Sequence, residues 1–291
     1  MDGGMGGVSE TFCEFVVTEP RRRRVLSKNL LIGIKDYFSA FKKWRLLFYL
    51  SHAEMTRTYK RTVIGPFWAA LSMGIFIASM GILFSLLWHT QISTYLPLFA
   101  SGYIVWIFFS TIVTGASTAF TSMEAYIKQI DLPYSFYAFS LVCRNVIIFA
   151  HQLLVFVVIA LIFHVPVTLN TFLVVPGFIL LLLNCSWMTI LLGILCTRFR
   201  DIQQIVVNLL QIAMFVTPIF WSESQLGHSR VAFVCIQLNP LYHLISVVRY
   251  PLMGQATHLS SWLIDIGLLI FGWVITMRVL GQKYHKLVYW L

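Results

Sequence analysis

The sequence is poor in charge, and acidic residues are the scarcest of its charged residues. Only 11% of its 291 residues are charged, and Asp and Glu together number 11. A soluble domain of this size has about a quarter of its residues charged, so much of the chain cannot face water. Hydrophobic residues make up 58% of the sequence, and the mean hydropathy is +0.80. The composition excludes an ordinary soluble protein and favours one with lipid as its solvent.

The residue patterns that build catalytic or metal centres are also missing. The five cysteines form no CxxC pair, the eight histidines show no metal-ligand spacing, and no Asp-x-Asp pair occurs. The sequence contains no GxxxxGK[ST] phosphate-binding loop. We therefore expect no catalytic residue, no bound metal or cofactor and no ATPase site on this chain.

Six apolar runs are long enough to cross a bilayer. At 1.5 Å rise per residue, about 20 helical residues cross the ~30 Å hydrocarbon layer. Each run must be helical, because only a helix satisfies the backbone hydrogen bonds of a single segment in lipid. The sequence predicts an all-α membrane protein with six transmembrane helices, over residues 66–88, 96–120, 140–163, 172–195, 202–221 and 261–280.

The placement of basic residues predicts how these helices are oriented. Residues 1–65 hold 12 of the 21 Lys and Arg residues, and the loops or tail on the same side bring the number to 18. The loops on the other side hold only Arg230 and Arg249. Lys and Arg accumulate in cytoplasmic loops, so we expect both termini to be cytoplasmic.

Two further stretches are neither transmembrane runs nor ordinary loops. Residues 37–61 place Tyr37, Phe41 and Trp44 on one helical face, which predicts an amphipathic helix at the lipid surface. A soluble helix packed against a partner protein is the alternative. In 222–260, Asn239 and Pro240 are typical of a helix start, and the following dozen residues are too few to span, which predicts a re-entrant or interfacial helix. We thus divide the chain into a basic arm (1–36), an amphipathic helix (37–61) and a transmembrane domain (62–291).

Polar residues follow two of the predicted transmembrane helices at helical spacing. The second helix has Tyr103, Trp106, Ser110, Thr114, Ser117 and Thr121, and the fifth has Gln204, Asn208, Gln211 and the aromatic Phe215. Polar side chains in a membrane face protein or water. The rows therefore either form hydrogen bonds between helices or line a path for a polar substrate such as a sugar.

Three motifs resemble one known family, the permease subunits of type-two ABC exporters of O-antigen, capsular polysaccharide or teichoic acid. The first is Tyr59-Lys60-Arg61-Thr62-Val63-Ile64-Gly65-Pro66-Phe67-Trp68. The second comprises Arg200-Asp201-Ile202 and Thr217-Pro218-Ile219-Phe220-Trp221. The third is Asn239-Pro240-Leu241-Tyr242-His243 with Arg249 and Gly254. The resemblance extends from about Trp44 to the C-terminus, and it leaves the Arg21–Arg24 cluster unexplained.

The resemblance implies a homodimer in the bacterial inner membrane that carries two ATP-binding cassette subunits, with ATP and Mg²⁺ bound by those subunits. Its expected substrate is an undecaprenyl-diphosphate-linked polysaccharide, most simply O-antigen, and no nucleic acid is an expected partner. Glu124 and Lys128 match the position of the ATPase contact region, and Arg57, Lys60 and Arg61 lie where a lipid diphosphate would sit. The alternative role of those three charges is to set the orientation of the chain in the membrane. Asn239, Pro240, Tyr242 and Arg249 belong to the expected outer gate helix.

Two other classes of membrane protein are the alternatives. An integral-membrane transferase acting on a lipid-linked sugar needs acids, histidines or metal ligands clustered at one membrane face, and the sequence shows no such cluster. A secondary carrier usually buries carboxylates within its spans. Here the first five predicted runs contain no carboxylate, and Asp265 lies near the start of the sixth.

Overall fold

The computed structural model describes residues 30–60, 62–221 and 236–291, and all regular structure in these ranges is helical. Residues 1–29, which include Arg21–Arg24 of the predicted arm 1–36, the candidate residue Arg61 and residues 222–235 lie outside the described residues. The helices are α1 (30–42), α2 (Trp44–Tyr59), α3 (Phe67–Leu87), α4 (Ile92–Ala116), α5 (Glu124–Gln129), α6 (Tyr134–Ile162), α7 (Val174–Arg198), α8 (Asp201–Val216), α9 (Pro240–Leu252), α10 (Leu259–Lys283) and α11 (Leu287–Trp290).

Five of these helices are long and apolar enough to cross a membrane, namely α3, α4, α6, α7 and α10. The predicted run 202–221 is instead a shorter apolar helix, α8, of 16 residues, which is about 24 Å long. The helix ends because Thr217 precedes Pro218 and takes an extended conformation, with ψ 135°. Residues 217–221 continue as non-helical backbone.

Helix α4 forms the centre of the bundle. Fifteen of its 25 residues are buried, and it packs against α3, α6, α7, α8 and α9. Among its buried side chains, Phe99, Trp106 and Phe108 are some of the largest in the core. Burying such side chains stabilises the packing by dispersion contacts, so the neighbouring helices are arranged around α4.

The connections between the helices lie at the two ends of the bundle. At one end Tyr134 contacts the rings of Phe120 and Tyr284, which gathers the α4–α6 connection and the C-terminal tail. We call this the basic end, because the described residues that meet here belong to the side of the chain that is predicted to be rich in Lys and Arg. At the opposite end, the Thr168 hydroxyl donates to the Gly254 carbonyl at 2.6 Å, which joins the connections that precede α7 and α10.

The basic end is fixed by a carboxylate from α1. Helix α6 begins after Pro133, which has no side chain that can accept a hydrogen bond. Buried Asp36 supplies the acceptor, because the backbone N–H groups of Tyr134 and Ser135 donate to its carboxylate at 3.0 and 2.9 Å. Burial raises the pKa of Asp36, outweighing the effect of these hydrogen bonds.

The predicted amphipathic helix 37–61 is divided at Lys43 into α1 and α2. Both faces of these helices are used. Tyr37 packs edge-on against Trp273 at 4.8 Å, and Ser51 Oγ lies 3.0 Å from the Ser140 carbonyl of α6. Phe41 and Trp44 remain 65% and 59% exposed. Tyr37 is therefore a packing residue, and Phe41 and Trp44 belong to the exposed aromatic face of the two helices.

Helix α9 is confirmed as a helix that starts at Pro240. The Asn239 side chain accepts a hydrogen bond from the Leu241 N–H at 3.0 Å, as an N-cap residue does. Nine of the 13 residues of α9 are buried against α4, α7 and α10. This burial makes α9 part of the interior of the bundle.

Candidate transport path and its two ends

The polar row of α4 does not form one continuous exposed line. Trp106 is 2% exposed and Ser117 is buried, so both lie inside the subunit. Tyr103 is half-buried and stacks on Phe76 of α3, with ring centroids 4.7 Å apart. Only Thr114 is exposed, and Ser110 is half-buried. Tyr103, Trp106 and Ser117, half of this row, therefore lie within the packing of one subunit.

The row on α8 is different, because all of its members are exposed. Gln204, Asn208, Gln211 and Phe215 face away from the bundle, and the Gln204 amide donates to the Asn208 amide oxygen at 3.2 Å. The opposite face of α8 packs on the core through Val206 and its neighbours. Amide side chains exposed to acyl chains are unfavourable. This face of α8 must therefore meet water or another protein surface in the membrane.

The end of the α4 row lies near the start of α8 at the basic end, where a polar cavity of about 310 Å³ opens. Ser117, Thr121 and Glu124 come from the end of α4 and the connection after it. Sequence reasoning missed two further members of this cavity, Arg200 and Gln203. Gln203 is adjacent to Gln204 in the chain, so the Gln-Gln pair was the available signal. Trp290 and Leu291 of the tail complete the lining, and Arg198 stacks on Trp290 at 5.1 Å.

Helix α5 is a short, exposed element beside this cavity. Glu124 and Lys128 occupy successive turns, and their charged groups form an ion pair in which both side chains are 45% exposed. Tyr126 and Ile130 are also exposed, at 47% and 46%. An exposed pair of this kind contributes little stability, so α5 has the character of a contact surface.

The basic residues before α3 lie on the solvent side of α2. Arg57 and Lys60 are exposed, and neither forms an ion pair with a described residue. The only acid nearby in the chain is Glu54, which pairs with Arg144 of α6 at 3.7 Å. Burial raises the pKa of Glu54, and the charge of Arg144 opposes that rise. The positive charges of Arg57 and Lys60 are thus available to an anion.

At the opposite end, side chains satisfy the non-helical backbone that follows α8. The Arg249 guanidinium donates to the carbonyl of Pro218 and, at 3.2 Å, to the carbonyl of Leu98. The Tyr95 hydroxyl donates to the Phe220 carbonyl at 2.5 Å. The Asn239 amide donates to the Thr217 hydroxyl at 3.0 Å. Irregular backbone at membrane depth is stable only where its polar groups are hydrogen-bonded inside the protein. We call the three side chains that make these contacts, Tyr95, Asn239 and Arg249, the clasp.

The predicted gate residues divide between the clasp and the core. Arg249 and Asn239 belong to the clasp, Pro240 is the first residue of α9, and Tyr242 is 3% exposed within the bundle. Sequence reasoning missed Tyr95, which forms its hydrogen bond with a carbonyl 125 residues away. No local pattern signals such a contact.

The structure buries Asp265, the carboxylate that the sequence places near the start of the sixth run, on α10. Asp265 is fully buried, and neither oxygen of its carboxyl group has a hydrogen-bond partner among the described residues. One turn away, the Ser261 hydroxyl lies 2.9 Å from His243 Nδ1 of α9. The Asn184 amide donates to the Asp265 backbone carbonyl at 3.3 Å. These contacts join α7, α9 and α10 inside one subunit, away from the α8 row.

Residues 45–253 match the family model described as ABC-2 type transporter, and this is well over half of the chain. The chain belongs to the ABC-2 type transporter family. This ABC-2 protein is therefore a multi-pass transport subunit of an ABC transporter, as the three sequence motifs predict. The matched range begins in α2 and ends just after α9, so it includes the α8 row, α5 and the clasp.

A curated relative has a more specific description. The O-antigen export system permease protein RfbA of Myxococcus xanthus is 25% identical to this chain over 202 residues, which are 69% of this chain and 77% of that protein.

Proposed function

We propose that this ABC-2 subunit exports O-antigen, linked to undecaprenyl diphosphate, across the inner membrane in an ATP-driven complex. The description of the Myxococcus xanthus relative supports the substrate class. The observation that carries the proposal is the exposed face of α8, which presents a row of amides ending at Phe215. Amides exchange hydrogen bonds with sugar hydroxyls, and an aromatic face can stack on a sugar ring.

The polymer path requires a second copy of the chain. In one subunit the α8 row lies on the outside, where acyl chains would cover it. In our proposal the α8 faces of two subunits enclose a wet path along the dimer axis, entered through the polar cavity of Ser117 and Gln203. Trp106 is buried in the core, so it is left out of the path, and Phe215 supplies the stacking face.

Two separate ATP-binding cassette subunits supply the energy in this proposal. They dock at the basic end, on the cytoplasmic side, where the exposed helix α5 offers Glu124 and Lys128. The 18 basic residues on this side support that orientation. Arg57, Lys60 and Arg61 receive the lipid diphosphate beside the start of α3, because charge-assisted hydrogen bonds to phosphate are short and strong.

The path is tested by thiol labelling of the assembled exporter. Single cysteines replace Asn208 and Gln211 in a variant without the native cysteines, and a membrane-impermeant thiol reagent is added in each nucleotide state. We expect labelling at both positions in at least one state. Ile205 and Ile212 provide matched controls, since they are exposed on α8 beside the polar row, and we expect them to stay unlabelled. If Asn208→Cys and Gln211→Cys resist the reagent in every state, the row is a packing surface and the proposed path is wrong.

A further inference from the structure

A long apolar groove lies on the surface of the bundle between α3 and α6. It has a volume of about 690 Å³, and its lining carries almost no polar surface. Phe67, Ala70, Gly74 and Ala78 form one wall, and Val155 and Ile162 lie in the other. Both helices are among the five that can cross a membrane, so the groove opens toward the acyl chains.

The groove has the length of one membrane leaflet. Its α3 wall runs from Phe67 to Ala78, which is about 16 Å along the helix, and half of a ~30 Å hydrocarbon core is about 15 Å. The wall is recessed because small residues recur at every fourth position. A side chain added at Gly74 would meet Val155 only at an ordinary 3.6 Å, so helix packing does not require glycine there. The space is available to a ligand.

Two cations lie near the end of this groove that faces the basic end of the bundle. Helix α2 runs alongside α6 in the same direction, since Ser51 contacts Ser140 and Glu54 pairs with Arg144. Arg57 therefore lies about one turn further along, and Lys60 directly follows the last residue of α2. The chain then reaches Phe67, whose ring is 5.2 Å from His151 of α6, where the groove begins. An apolar groove with exposed positive charge at one end matches an anionic lipid.

We propose that this groove binds the isoprenoid tail of the diphosphate lipid carrier, with Arg57 and Lys60 at the diphosphate. This inference rests on the proposed function and adds the site at which the lipid part of the substrate docks. A single groove accommodates a lipid with one tail, whereas a phospholipid has two tails. Two neighbouring cations suit a diphosphate better than the single phosphate of a phospholipid. The first part of the tail fills the leaflet-long groove, and the remainder extends into the bilayer.

The test is photolabelling of the full-length protein in phosphatidylcholine nanodiscs with an undecaprenyl diphosphate that carries a photoreactive group on its tail. We expect the label on residues 67–78 and 154–163. Unlabelled undecaprenyl diphosphate should compete at least tenfold better than undecaprenol or phosphatidylglycerol, because each charge-assisted contact contributes about tenfold in affinity.

Matched variants separate the groove from the rest of the surface. Ala78→Leu and Gly74→Leu fill the groove and should weaken labelling about tenfold, the equivalent of about two methylene contacts. Ser79→Leu is the control, since Ser79 is exposed on α3 outside the groove. Arg57→Gln with Lys60→Gln should remove the preference for the diphosphate over undecaprenol, while Lys42→Gln on exposed α1 should retain it.

Several outcomes would overturn the inference. Equal competition by phosphatidylglycerol would assign the groove to ordinary phospholipid. Labelling insensitive to Ala78→Leu and Gly74→Leu would place the tail elsewhere, and a crosslink between two copies of the chain at Gly74 would make the face a subunit contact. The proposed function has an independent readout, because thiol labelling on α8 and polysaccharide export can persist when the groove result is negative.

Discussion

The clasp at Arg249 gives a prediction whose size follows from the structure. The guanidinium is 4% exposed and donates to the carbonyls of Pro218 and Leu98. Replacing Arg249 with Met keeps an unbranched apolar stem and removes every donor. Each buried carbonyl left without a partner costs about 1–3 kcal/mol. The variant no longer buries a cation, and this recovers part of the cost. We therefore expect the free energy of unfolding to fall by about 2 kcal/mol.

The assay is the apparent unfolding temperature in detergent, compared at one scan rate because unfolding of such proteins is often irreversible. One kcal/mol shifts the midpoint by about 2–4 °C for domains of comparable size, so Arg249→Met should lower it by about 4–8 °C. Arg249→Lys should be no better, because a single ammonium lacks the fork that reaches both carbonyls. Tyr95→Phe removes one hydrogen bond of the clasp and should lower the midpoint by about 2–4 °C. If the Arg249→Met protein were as stable as the wild type, the clasp would not stabilise the fold.

The fold and the site give four further predictions. Asp36→Ala should destabilise the protein by about 2 kcal/mol by removing the acceptor at the start of α6. Burial raises the pKa of Asp36 above its ordinary value of 3.8, so the native state binds the Asp36 proton more tightly than the unfolded state does. The free energy of unfolding of the wild type should therefore fall as pH rises from 3.8 through the raised pKa. Asp36→Asn should lack this fall when unfolding is measured as a function of pH. Exchanging the charges of Glu124 and Lys128 preserves their ion pair, so it should leave folding intact and reduce transport-coupled ATP hydrolysis; unchanged coupling would remove α5 from the ATPase contact. A reporter fused after Thr168 should report the periplasm, and one fused after Lys128 the cytoplasm; the reverse result would contradict the charge-based orientation. Asn208→Lys should block export while the purified protein still elutes as a monodisperse complex, and export at the wild-type rate would exclude Asn208 from the path.

Several elements of the fold could be predicted because their causes are local. Apolar runs of about 20 residues predict membrane helices whatever their neighbours are. The Asn239-Pro240 pair predicts the start of α9, since the cap and the proline act within one turn. The Thr217-Pro218 pair also explains locally why α8 ends early, although the apolar run continues past it. The family resemblance rests on equally short motifs, and the family match confirms it.

The candidate site was predicted only in part, for a reason specific to membranes. Lipid and protein interior are both apolar, so hydropathy cannot show which face of a membrane helix is covered by protein. The rows on α4 and α8 look alike in sequence, yet Trp106 is buried inside the subunit and Asn208 is exposed. The difference arises because α4 is surrounded by five other helices, while α8 packs through one face only.

The sequence by itself determined that this is a helical membrane protein of the ABC-2 family. Only the tertiary structure decided which residues act together. Asp36 meets the start of α6 across 98 residues, and Arg249 reaches Leu98 across 151. The groove between α3 and α6 likewise exists only when the two helices pack. Side chains so far apart in the chain are brought together by helix packing, and no periodicity within one helix records which neighbour it will have.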